Sequence, residues 1–134
     1  MATTTTLTMI PLTIYGEASG NYDGSSLDWH GDPVRAANYY QGQGHIQTVE
    51  ISTTDFQGSI IIYATLDTWY NDPNYPFDPA TPTTINWFEI FRYDNLIVPL
   101  TDYKLTSFQG NFTWLQARVD DFTAGRINTV KVMY

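Results

Sequence analysis

The sequence predicts an all-β fold: a single antiparallel β-sandwich, jelly-roll-like, with about eight or nine strands and little helix. Three observations carry this expectation. Thr, Tyr, Ile, Val, Phe and Trp are abundant, with aromatic residues alone at 16%, and such side chains suit a pleated, half-buried surface. No long segment repeats apolar residues at helical spacing. Clusters of Gly, Pro, Asn, Asp and Ser break the chain at sandwich-like intervals, with no strand–helix alternation.

The elements follow in order. Residues 1–7 read as an extended N-terminal arm and 8–134 as the sandwich domain. A first strand runs from Thr8 to Tyr15 and closes at Gly16, before a polar, glycine-rich loop from Glu17 to Ser26. Asp32-Pro33-Val34-Arg35-Ala36-Ala37 could open a helical turn, with Asp as cap and Pro at the first position. Tyr39-Tyr40 favours a strand instead, and both readings stay open. His45 to Thr53 and Gly58 to Leu66 read as a strand pair around the turn Thr54-Asp55-Phe56-Gln57-Gly58. In the second, Ile60, Ile62, Ala64 and Leu66 share one face while Ile61, Tyr63 and Thr65 make the other apolar too. Such a strand belongs mid-sandwich or beneath a subunit contact.

Residues 67–84 read as a loop stiffened by Pro73, Pro76, Pro79 and Pro82, which lack the donors a sheet requires. Strands resume at Ile85 to Phe91, at Leu96 to Leu100 (interrupted by Pro99) and at Tyr103 to Ser107; Gly110 to Asp120 and Arg126 to Tyr134 finish the chain. One echo stands out: the Phe56-Gln57-Gly58 segment resembles the Phe108-Gln109-Gly110 segment. Aligning Ala64 with Ala117 sets Ile62 on Leu115 and Leu66 on Val119, with one extra residue near Phe112 read as a bulge.

Composition limits the chemistry. With 134 residues and 43% hydrophobic content, the chain can bury one real core. Fourteen acids against six bases give a net charge of −8, which disfavours nucleic-acid phosphates as a partner. No apolar run is long enough to span a bilayer. The start lacks a basic n-region and an apolar h-region, so it does not read as a secretory signal, and the sequon Asn111-Phe112-Thr113 reads as chance. There is no cysteine, hence no disulfide, thiolate metal site or Cys nucleophile.

Motifs for catalysis are missing. Gly16-Glu17-Ala18-Ser19-Gly20 only superficially resembles a nucleophile elbow, because its serine is misplaced. No phosphate-binding loop or dinucleotide fingerprint appears, and His30 and His45 lack metal-ligand spacing. The acids Asp23, Asp28, Asp32, Asp55, Asp72, Asp78 and Asp94 sit in turns, where turn chemistry accounts for them. Asp67, Asn71, Asp72, Asn74 and Asp78 offer oxygens for calcium, without EF-hand spacing or a bidentate Glu. The expectation is a protein that is not an enzyme and has no cofactor, catalytic or metal site.

Interaction residues are the stronger lead. Trp69, Tyr70, Tyr75 and Phe77 lie in the proline-rich loop, where rings can anchor a neighbouring subunit, pack on their own domain or stack on a sugar. In the arm, Thr3, Thr4, Thr5 and Thr6 favour an extended chain, so Thr4, Thr6 and Leu7 are expected to pair with a sheet edge or a neighbouring subunit.

The stretch Gly110-Asn111-Phe112-Thr113-Trp114-Leu115-Gln116-Ala117-Arg118-Val119-Asp120-Asp121-Phe122-Thr123-Ala124-Gly125-Arg126-Ile127 resembles small β-sandwich structural proteins of tailed bacteriophages, including cyanophages. Gly42 to Val49, Thr53 to Ile60 and Trp87-Phe88-Glu89-Ile90 fit the same pattern. The resemblance implies a non-enzymatic virion component: a capsid decoration protein, or else a neck, tail or fibre part. Its partners would be other virion proteins and copies of itself, with no nucleic acid and no membrane. A carbohydrate-binding module reading a host glycan is the alternative.

Overall fold

The computed structural model describes residues 5–37, 46–66 and 87–134. They form an all-β, antiparallel fold of seven strands: β1 Thr6–Ile10, β2 Thr13–Ile14, β3 Trp29–His30, β4 Val34–Arg35, β5 Ile46–Thr65, β6 Phe88–Gln109 and β7 Trp114–Met133. The sheet order is β1-β7-β5-β6, and β2, β3 and β4 also pair with β7. Three long strands therefore make the body, and the N-terminal segment runs along one edge of β7 in four short pieces.

Where the sequence predicts pairs of strands separated by turns, the chain continues as one bent strand. Thr54 to Gly58 is not a hairpin turn. β5 passes through it and stays paired with β6 and β7, with register shifts around Thr53, Phe56 and Gly58. The expected gap between Asp120 and Arg126 is likewise an interior bend of β7, and three predicted strands between Ile85 and Ser107 merge into β6. The cause lies in two matching bulges. Asp55 and Asp121 have φ of 50° and 54°, and each precedes a buried Phe and then a glycine of positive φ, Gly58 (152°) and Gly125 (80°). An inserted residue and a left-handed backbone bend a strand and strengthen its twist without ending it. The two glycines are interlocked. A Cβ on Gly125 would collide with the Asp55 carbonyl oxygen, and one on Gly58 would press on that of Asp121 at 3.0 Å.

The bend folds the sheet over on itself, so its two leaves share one core and the fold is sandwich-like. Val49, Ile51, Val130 and Val132 contribute from one leaf and Ile60, Ile62, Ala64, Leu115, Ala117 and Val119 from the other, within a single buried cluster. Far ends of the chain meet as a result. Arg35 pairs with Trp114 at the start of β7, while its carbonyl accepts a hydrogen bond from the hydroxyl of Tyr134, just beyond the end of β7 (2.8 Å). The Gln47 side chain accepts from Ala37 N–H and donates to the Phe108 carbonyl. At the bend itself a row of rings crosses the strands. Tyr22 lies 5.3 Å from Trp29 and 5.1 Å from Phe122, Phe122 lies 5.8 Å from Phe56, and Phe56 lies 6.3 Å from Tyr93. Ring pairs at these separations add attraction beyond area burial.

Other expectations change in detail. Val34–Arg35 is extended and pairs with β7, so no helical turn forms there, and Tyr39-Tyr40 lies outside the described residues. Ile61 is buried outside the main core, on a central strand where its direct cross-strand neighbours are Arg92 and Arg118. Long arginine stems cover such apolar surface while their heads stay wet. The echo of Phe56 and Phe108 is not a structural equivalence. Leu66 is exposed where Val119 is buried, and Asn111 to Thr113 turns rather than bulges, with Thr113 N–H donating to the Thr65 carbonyl. The true counterpart of Asp55-Phe56 is Asp121-Phe122.

Candidate functional site

The predicted interaction residues fall into two groups. Trp69, Tyr70, Tyr75, Phe77 and Thr4 lie outside the described residues. Thr6 and Leu7 are placed, and they are not a free arm. They open β1, where Thr6 faces Met133 and Leu7 faces Val132 across the ladder. Thr5 and Tyr134 exchange backbone hydrogen bonds beyond them. Leu7 also packs against the core. The sheet edge that receives this segment belongs to the same chain, because β-branched threonines and one inward leucine match the valine-rich end of β7.

That arrangement covers one side of the sheet and leaves β6 at the other. Among the described residues no strand pairs with the outer edge of β6. Its sequence explains both its shape and its exposure. Between Asn95, opposite Gly58, and Leu100, opposite Phe56, four residues leave the ladder: Leu96, Ile97, Val98 and Pro99. Pro99 cannot donate to a ladder and is tolerated at such a position. Polar side chains fasten the excursion. Asn95 Nδ2 donates to the carbonyls of Phe56 (2.6 Å) and Val98 (2.7 Å), Gln57 Nε2 donates to the Leu96 carbonyl (3.0 Å), and Asp55 N–H donates to Thr101 Oγ1 (3.1 Å). The result is a fixed apolar knuckle. Leu96, Val98 and Leu100 are exposed, and Ile97 is 89% exposed. Tyr103 and Leu105 extend the apolar exposure down the same strand.

The edge also carries an ordered set of charges. Arg92 pairs with Glu89 (3.0 Å) and Asp94 (3.5 Å), which raises the guanidinium further above its ordinary value. Asp94 in turn accepts from Ser59 Oγ. Asp102 receives the hydroxyl of Tyr93 at 3.2 Å and the N–H of Tyr103 at 2.8 Å. Burial, aided by the nearby Asp102 carboxylate, pushes the Tyr93 phenol up. Lys104 has no ion-pair partner among the described residues.

Elsewhere the polar residues serve turns. The Asp23 carboxylate accepts from the backbone N–H groups of Ser25 (2.8 Å) and Ser26 (2.7 Å) and is lowered by them to about 2. Asp28 accepts from Asp121 N–H at the β7 bulge. His30 Nδ1 lies 3.2 Å from Gln116 Nε2, and Asp32 accepts from Asn21, so the pair His30 and Asp32 holds local structure. Among the described residues no three His, Asp or Glu side chains gather as a cation would require. The oxygen-rich run from Asp67 to Asp78 and His45 lie outside them.

No family model, curated protein or solved structure matches this chain.

Leu96 to Leu100 reads in the sequence as a short segment interrupted by Pro99, and composition alone does not say that its apolar side chains face solvent. The signal available was Pro99 together with the Asp94-Asn95 pair, which marks a break in a ladder.

Proposed function

We propose that this chain is a non-catalytic structural part of a tailed-phage particle, a decoration protein of the capsid surface, which joins its neighbours through the knuckle and edge of β6. The particle assignment rests on the sequence resemblance. The mode of action rests on one observation: an apolar four-residue excursion held open to solvent by side-chain hydrogen bonds from Asn95 and Gln57. Apolar residues held rigidly at the surface incur little ordering entropy on binding, which makes them effective anchors. A net charge of −8 would keep the protein off packaged DNA while it adds to the particle.

The test follows particle association. In a lysate where tailed-phage particles assemble, the tagged chain is expected to sediment with the particles. Ile97→Asp with Val98→Asp should release it to the soluble fractions without lowering its stability. Absence of the unaltered chain from the particle fractions, or full retention of the double variant, would overturn the proposal.

A further inference from the structure

We infer that β6 pairs with β6 of a second copy of this chain, antiparallel about a two-fold axis at Tyr103, giving a homodimer with a continuous sheet. The inference rests on the proposed role as an assembling part and names the partner of that edge. Three features of the segment Leu100 to Gln109 lead to it.

The first is backbone direction. Tyr103 N–H donates to the Asp102 side chain rather than to β5, so Tyr103 turns its N–H and C=O to the open side. β5 and β6 keep one register from Ile46↔Gln109 to Thr53↔Asp102, so Leu105 and Ser107 share that outward direction. The second is charge. In a two-fold antiparallel pairing centred on Tyr103, Asp102 of each copy lies opposite Lys104 of the other, in the non-hydrogen-bonded pairs where side chains approach closest. Shifting the centre to residue 102 sets Asp102 against Asp102, and shifting it to 104 sets Lys104 against Lys104. Pairing at Tyr103 supplies the ion pair that Lys104 lacks among the described residues. The third is apolar continuity. Tyr103 and Leu105, each 58% exposed, lie on one face, and the two-fold axis joins both copies into one stripe. Asp102, which now caps its neighbour's N–H, is freed for Lys104 when the Tyr103 N–H meets the partner's carbonyl.

Cysteine cross-linking reads the register directly, since the chain contains no cysteine. Hydrogen-bonded antiparallel partners lie about 5.5 Å apart at Cα, within disulfide range. Tyr103→Cys is therefore expected to oxidise to a covalent dimer. Leu105→Cys is expected not to, because the two copies of residue 105 would be roughly 13 Å apart along the strands. Lys104→Glu should weaken the dimer by about tenfold or more through like charges, and adding Asp102→Lys should restore it. Equal cross-linking at both positions, or a protein that sediments as a monomer up to high micromolar concentration, would refute the pairing. A monomer that still joins particles would refute it while leaving the proposed function standing. In that case the Asp102 cap and the Lys104 charge are devices that keep an edge unpaired.

Discussion

Replacing Gly125 by alanine tests the interlocked bulges most directly, and the molecule supplies its own control. Gly16 and Gly125 have nearly the same φ, 88° and 80°, yet a Cβ on Gly16 meets nothing within 4 Å. A Cβ on Gly125 meets the Asp55 carbonyl and the Phe56 backbone nitrogen. Alanine in the left-handed region costs about 1–2 kcal/mol, partly offset by about 0.4–1 kcal/mol from a stiffer unfolded chain. Gly16→Ala should thus lose about 1 kcal/mol. Gly125→Ala carries the same conformational cost and must also push β5 away from β7 at the bend, a further overpacking cost of about 1–3 kcal/mol. The expected total is about 2–4 kcal/mol, a large part of a stability of about 5–15 kcal/mol. Urea unfolding followed by tryptophan fluorescence reports it, because Trp29 lies in the ring row beside the bend. With a slope of about 1–3 kcal/mol per molar urea, the two midpoints should differ by about 1 M. Equal midpoints would refute the claim that the Gly125–Asp55 approach sets the bend.

Phe122→Ala should destabilise by about 3–5 kcal/mol in the same assay, because the buried ring touches Tyr15, Tyr22, Trp29 and Phe56; a loss near 1 kcal/mol would show that the ring row is not a main support. Ile97→Asp should leave the unfolding free energy in urea unchanged within about 0.5 kcal/mol, since Ile97 is almost fully exposed; a large loss would mean that the knuckle is a fold element. Asp23 titrates at about 2 folded against an ordinary 3.8. Its contribution to stability is therefore present above about pH 4 and lost as pH falls toward 2. Asp23→Asn should flatten that part of the acid-unfolding curve, and an unchanged curve would remove the Ser25 and Ser26 turn from the account.

The all-β character was legible because it follows from local chemistry. Val49 and Ile51 alternate with Thr48, Glu50 and Ser52, and Ile60, Ile62 and Ala64 share one face with Ile61, Tyr63 and Thr65 on the other; that period of two survives any arrangement of the leaves. Strand ends were not legible. Thr54-Asp55-Phe56-Gln57-Gly58 has the composition of a hairpin turn, and only pairing on both sides by β6 and β7 makes it a bulge within one strand. The Asp-Phe pairs at 55 and 121 were visible as letters. Their equivalence arises from Gly125 meeting the Asp55 carbonyl and Gly58 meeting that of Asp121, contacts between segments about seventy residues apart. The threonine-rich start reads as an extended arm for a sheet edge or a neighbouring subunit, and Thr6 and Leu7 pair with the end of β7 in the same chain.

Residue types by themselves determined that this chain builds pleated sheet around an aliphatic and aromatic core, because side-chain branching and alternation act over neighbouring positions. Tertiary structure decided which edge is covered. Among the described residues, β1 to β4 occupy one side of β7, β5 sits in the centre, and β6 carries Ile97, Tyr103 and Lys104 along an edge that no strand pairs. Exposure of an edge is a property of strand order, and strand order is settled only when distant segments compete for the same backbone hydrogen bonds.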